Sequence, residues 1–153
     1  MRKTNILVFI AIVVAVVEPR AAQHMTADKA APETEATKLH DELGLGRKIL
    51  VIDVRTPKEF QADHIPGSVN IPLDELERKV SEMKLAKDTT IVTICEHGGR
   101  SSNAAMVLQK MGYKTVSYCR LDHWRAKDYK VEKGDAKPKK TAWLPGRDRS
   151  QMA

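Results

Sequence analysis

Apolar residues in the middle of this chain fall into two alternating kinds of run. Ile49-Leu50-Val51-Ile52 is unbroken, and Lys48 to Val54 as a whole suits a strand covered on both faces. Thr90-Ile91-Val92-Thr93-Ile94 repeats that pattern, and Thr115-Val116-Ser117-Tyr118 and Ser68-Val69-Asn70-Ile71 give two shorter strands, the last ended by Pro72. Between them the spacing turns helical. Glu33 to Leu43 reads as a short helix stopped at Gly44 and Gly46, and Pro57 opens a brief one through Phe60. Leu73, Leu76, Val80 and Met83 share one helical face, as do Ala104, Val107, Leu108 and Met111, closed by Gly112. Ile65-Pro66-Gly67 is a turn, and Leu121 to Lys127 a last helix. Strand and helix alternate, so the class is α/β with a mainly parallel central sheet flanked by helices. Ligands of such sheets bind at the carboxyl ends of strands.

The two ends of the chain follow neither pattern. Arg2 and Lys3 precede an apolar run from Ile6 to Val17, then Glu18-Pro19-Arg20-Ala21-Ala22. A basic start, a short apolar run and a small-residue end make residues 1–25 a secretory signal peptide. A spanning helix needs about 20 apolar residues, so a permanent anchor is the weaker reading. Arg20 suits a cleavage site poorly, however, which keeps uncleaved retention at the membrane as an alternative. The expected location is periplasmic or secreted, with the membrane touched only through this signal. Residues 26–32 read as a linker, 33–134 as one folded unit, and 135–153 as a basic, disordered tail.

A chain of 153 residues holds one domain with a real core. Much of its formal charge of +6 sits in Lys133, Lys137, Lys139, Lys140, Arg147 and Arg149. With aromatics at 5% and only Trp143 near that cluster, a nucleic-acid surface is not expected.

The chemistry concentrates in Cys95-Glu96-His97-Gly98-Gly99-Arg100-Ser101. A buried strand delivers Cys95 into a glycine loop that closes on a helix beginning near Ser101. Loop and first-turn N–H groups converge there and hold an anion. With Arg100 alongside, they favour a thiolate nucleophile. Gly98 and Gly99 permit positive φ and a close approach of backbone to sulfur, Ser101 or Ser102 supplies the N-cap, and His97 could assist donor binding. Glu96 opposes the thiolate unless it points away.

These residues, with others upstream, resemble the rhodanese family of sulfurtransferases. Asp53-Val54-Arg55, Glu59-Phe60, His64-Ile65-Pro66-Gly67-Ser68 and Asn70-Ile71-Pro72 are similar to its first signature. Cys95, Gly98, Arg100 and Ser101 are similar to its active-site loop, and Trp124 with Val131-Glu132-Lys133-Gly134 to its C-terminal signature. The resemblance implies a single-domain rhodanese fold. It implies that Cys95 takes a sulfane sulfur from a small sulfur-containing anion such as thiosulfate and passes it, as a persulfide, to an unidentified thiophilic acceptor. It implies that no metal or organic cofactor is needed. Glu96, His97, Gly98, Gly99, Arg100 and Ser101 then form the substrate cradle, with Arg100 placed to attract the anionic donor. Cysteine phosphatases put five residues between Cys and Arg; here four intervene, a tighter loop suited to one sulfur atom. Asp53, Arg55, Glu59 and His64 read as structural rather than chemical.

Two positions depart from the family pattern: Asp63 and Cys119-Arg120 stand where glycines are usual. Cys119 follows a strand beside that of Cys95. Three readings stay open for it: a resting disulfide with Cys95, a resolving thiol and possible redox partner, or an unconnected small residue. A non-catalytic persulfide carrier or sulfur-binding partner module is the alternative to an enzyme.

Overall fold

The computed structural model describes residues 30–135. The signal read at 1–25 lies outside the described residues, as do 26–29 of the linker and all of the tail after Asp135. Four strands form one parallel sheet: β1 (Ile49–Asp53), β2 (Val69–Asn70), β3 (Thr90–Cys95) and β4 (Thr115–Arg120), in the order β2-β1-β3-β4. The helices are α1 (Ala36–Gly44), α2 (Pro57–Ala62), α3 (Leu76–Glu82), α4 (Gly99–Lys110) and α5 (Leu121–Ala126).

Because side chains alternate along a strand, the sheet feeds two separate cores. Leu50, Ile52, Ile91, Cys95 and Val116 face Leu76 and Val80 of α3 and Ala104, Ala105 and Leu108 of α4. Val51, Val92, Ile94 and Cys119 face Leu39 of α1 and Leu121 and Trp124 of α5. Small residues at 104 and 105 let α4 lie close on β3, which fixes where its N-terminus points.

Several expected boundaries move. The face read from Leu73 to Met83 splits into a 3-10 turn, Leu73–Glu75, and α3. β4 runs on through Cys119 and Arg120. The linker's last residues belong to the folded unit: Ala31 is buried, the Tyr118 N–H donates to Pro32 O at 3.1 Å, and the Thr34 N–H donates to Tyr118 O at 2.7 Å. This short parallel pairing covers the free edge of β4, as an exposed sheet edge requires.

At the C-terminal end of β1 the chain buries an ion pair. Asp53 is 0% and Arg55 2% exposed. Asp53 accepts from the Arg55 N–H at 2.9 Å, from Nε at 3.1 Å and from Nη2 at 2.8 Å. Arg55 also donates to Asp63 O at 2.5 Å, and the Asn70 amide donates to Asp53 O at 3.0 Å and Arg55 O at 2.8 Å. Every polar group here has a partner, so the pair ties β1, β2 and the end of α2 together. Removing one partner leaves an uncompensated buried charge. Asp53→Ala is therefore expected to lower the unfolding free energy by about 3–5 kcal/mol, measured by urea titration.

Candidate active site

Cys95 is the last residue of β3, and its side chain points to the α4 side of the sheet. Gly98 follows at φ +91, a left-handed conformation, and serves as the N-cap of α4 without any side chain to do the capping. A Cβ at Gly98 would meet Tyr118 and the Arg120 stem at 3.3 Å, so two constraints select glycine here. Gly99 differs: it is the first helical residue and has open space around it. The expected caps, Ser101 and Ser102, lie inside the helix instead.

The sulfur does the capping. The Ser101 N–H, one of the unpaired donors of the first turn, donates to Cys95 Sγ at 3.2 Å. Ser101 Oγ lies 3.2 Å from the same sulfur and donates to Gly98 O at 3.1 Å. With a thiol at Cys95, the S–H donates to Ser101 Oγ. With a thiolate, that hydroxyl has a second acceptor to turn towards. Thr93 Oγ1 donates to Ser101 O at 2.8 Å, fastening the first turn of α4 to β3. The sulfur is thus held at the N-terminus of α4.

Around this loop every guanidinium is engaged by carboxylate. Arg100 donates to Glu59 through both terminal nitrogens, at 2.9 and 2.7 Å. Glu59 also closes a capping box with Thr56 at the start of α2. The Arg100 guanidinium, aided by Thr56, holds the Glu59 carboxyl well below the usual range. Arg100 therefore does not present a free charge to a donor, as the sequence suggested; an anion would have to displace Glu59. Glu96 points away from the sulfur and accepts from Arg125 at 2.7 Å on both oxygens. Arg125 Nε lies 2.7 Å from Asp63. On the β4 side, Asp122 pairs with Arg120 and stands 3.1 Å from His97 Nδ1, while its N–H donates to Glu96 O at 3.2 Å. Arg120 holds Asp122 in its charged form, its carboxyl well below the ordinary range. His97 is 75% exposed and touches none of the groups that hold Cys95.

Sequence reasoning missed Asp122 and Arg125. Arg125 has no local signal, because it reaches partners 29 and 62 positions away; Asp122 pairs with Arg120 two positions back, but its contact with His97 lies 25 positions away. His64 takes its structural place, stacked on Phe60 at 3.8 Å, with Nδ1 2.9 Å from Phe60 O. Its backbone pairs with Glu132 and closes the domain.

Cys119 is not the redox partner the sequence left open. It pairs in register with Ile94, one residue before Cys95, and so projects from the opposite face of the sheet into the other core. Thiols pointing to opposite faces do not bridge without backbone movement. Burial pushes the Cys119 thiol up to about 11, which keeps it protonated and inert.

The rhodanese-like domain model matches residues 35–121, more than half of the chain. Putative sulfur carrier protein YrkF of Bacillus subtilis is 34% identical over 85 residues, 56% of this chain and 45% of YrkF. Thiosulfate sulfurtransferase PspE of Escherichia coli is 37% identical over 65 residues, 42% of this chain and 62% of PspE. The chain thus spans between about half and two thirds of these relatives' length. The crystal structure of thiosulfate sulfurtransferase from Pseudomonas aeruginosa superposes with a TM-score of 0.65 at 24% identity, covering 70% of this chain and 21% of that one. At that identity the likeness speaks for the fold: a parallel sheet between helices.

Cys119→Ala is expected to cost about 1 kcal/mol of stability in denaturant and to leave sulfur loading of the protein intact. Peptide mapping after oxidation should find no Cys95–Cys119 cross-link. A cross-link, or loss of loading in the variant, would reverse this assignment.

Proposed function

This chain belongs to the rhodanese-like domain family, and on that premise we propose that it moves sulfane sulfur through a persulfide on Cys95. The donor is one such as thiosulfate, the acceptor a thiophilic nucleophile. The observation that carries the reading is the hydrogen bond from the Ser101 N–H to Cys95 Sγ at the N-terminus of α4. The Cys95 thiolate attacks the outer sulfur of thiosulfate. A new S–S bond forms, the donor's S–S bond breaks, and sulfite leaves with the electron pair. The acceptor then attacks the terminal sulfur, and the Cys95 thiolate departs into the same hydrogen bond. Four residues between Cys95 and Arg100 support a cradle for sulfur over one for a phosphoryl group.

One observation favours the carrier as a second reading: Cys95 is only 2% exposed, so a persulfide there is sheltered. YrkF, itself described as a putative sulfur carrier, is among the relatives. The proposal extends to location. The basic start and apolar run of residues 2–17 support export to the periplasm or beyond.

Steady-state turnover with thiosulfate and cyanide, abolished in Cys95→Ser, is the outcome expected of the enzyme. A mass gain of one sulfur atom on Cys95 without turnover would make it a carrier, and no gain at all would overturn both readings. Expression of the full chain in a Gram-negative host should yield periplasmic protein that lacks the N-terminal apolar run. Full-length cytoplasmic protein would contradict export.

A further inference from the structure

On the side of the sheet opposite Cys95, apolar surface stays open where α1 meets α5. His40 and Leu43 of α1, with Ile65, Pro66 and Trp124, line a groove of about 220 Å³, room for one large side chain. Its rings are packed together: His40 stacks on Tyr129 at 3.9 Å, and Trp124 meets Tyr129 edge-on at 5.1 Å. Trp124 Nε1 already donates to Lys130 O at 3.0 Å, so Trp124 offers the groove apolar surface and no free donor. Gly44 lines the same groove without a side chain, and a Cβ there would meet nothing within 4 Å. The next residue, Leu45, is 75% exposed and is the one large exposed hydrophobic among the described residues. Contiguous apolar surface of this kind marks an interaction site.

The chain itself supplies an occupant within reach. Lys130 borders the groove, and beyond it the backbone runs antiparallel to residues 61–64. His64 and Glu132 exchange N–H···O bonds at 2.8 Å, the Gly134 N–H donates to Gln61 O at 2.8 Å, and Gln61 Nε2 donates to Asp135 Oδ1 at 3.1 Å. Asp135 is therefore fixed no more than five residues from the groove, at most about 18 Å away. Outside the described residues, Trp143-Leu144 stands eight residues further on and is the one pair of adjacent large apolar residues after Val131. Eight residues of coil average about 16 Å end to end, which matches that span. A tether of matching length presents its segment at about millimolar effective concentration, so a second copy at micromolar concentration competes poorly.

We propose that this groove seats the chain's own C-terminal segment, with the Trp143 ring entering between α1 and Pro66. Lys139, Lys140 and Arg147 flank the seated pair and stay in water. Burial of an aromatic side chain drives the contact, and the segment closes the α1–α5 face. The proposal is independent of the sulfur chemistry at Cys95.

The test uses the full chain carrying 5-fluorotryptophan. The chain has two tryptophans, so two fluorine signals are expected, and Trp143→Phe assigns them. A soluble gadolinium chelate broadens exposed signals, with a synthetic 136–153 peptide as the exposed reference. Trp143 should broaden about threefold less in the chain than in the peptide, and equally over about a hundredfold dilution, as a tethered contact requires. Gly44→Arg fills the groove at a position with room for a side chain, so it should restore peptide-like broadening with circular dichroism unchanged. NOEs from the Trp143 ring to the Leu43 and Ile65 methyls, expected in the unsubstituted chain, make the same test without that variant. Peptide-like broadening of Trp143 in the unsubstituted chain overturns the proposal and leaves the groove to another protein. Protection lost on dilution, with a dimer by light scattering, overturns it in favour of a second copy. Protection that survives Gly44→Arg, with no NOE to Leu43 or Ile65, puts Trp143 elsewhere and overturns it as well.

Discussion

The hydrogen bond from the Ser101 N–H to Cys95 Sγ is the contact on which the rest of the site depends. It joins the end of a buried strand to the start of a twelve-residue helix. Helix α4 has no side-chain cap of its own, because Gly98 must be glycine for the chain to turn beneath Tyr118 and Arg120. The sulfur fills that role. One contact thus closes the helix and fixes the position of the sulfur that the proposed sulfur transfer would use. Fold and chemistry meet in one atom.

A ring of ion pairs holds this contact in place from outside. Glu59 reaches Arg100 from α2, and Arg125 reaches Glu96 and Asp63 from α5. Asp122 holds the loop through Arg120, His97 and the Glu96 carbonyl. Each of these pairs is partly solvated and individually modest. Together they link three separate elements to a single loop. The same pairing consumes the positive charge that an anion-binding site would otherwise show.

The strands were legible because their apolar runs have no other reading in an alternating chain, and β1 and β3 fall within a residue of where the pattern puts them. Cys95 at a strand end was legible for the same reason. The α4 cap was not, since a side chain from the preceding strand supplies it and cap signals are local. The two cysteines looked like neighbours because the pattern puts both at the ends of adjacent strands. Their faces depend on the β3–β4 register, which pairs Ile94 with Cys119 and is set by packing rather than by any local motif. Arg125 was invisible because its partners come from distant parts of the chain; Asp122 pairs with nearby Arg120, but its reach to His97 and the Glu96 carbonyl has no local signal. The linker's packed end escaped notice because Ala31-Pro32 carries no periodicity.

The central claim is that the N-terminus of α4 holds the sulfur that Cys95 carries. A crystal structure of the chain after sulfur loading tests it most directly. The account predicts a second sulfur on Cys95 Sγ, within hydrogen-bond distance of N–H groups of the 96–101 loop, with the Arg100–Glu59 pair intact. A persulfide turned away from that helix terminus, or sulfur on Cys119 with Cys95 unmodified, would contradict it.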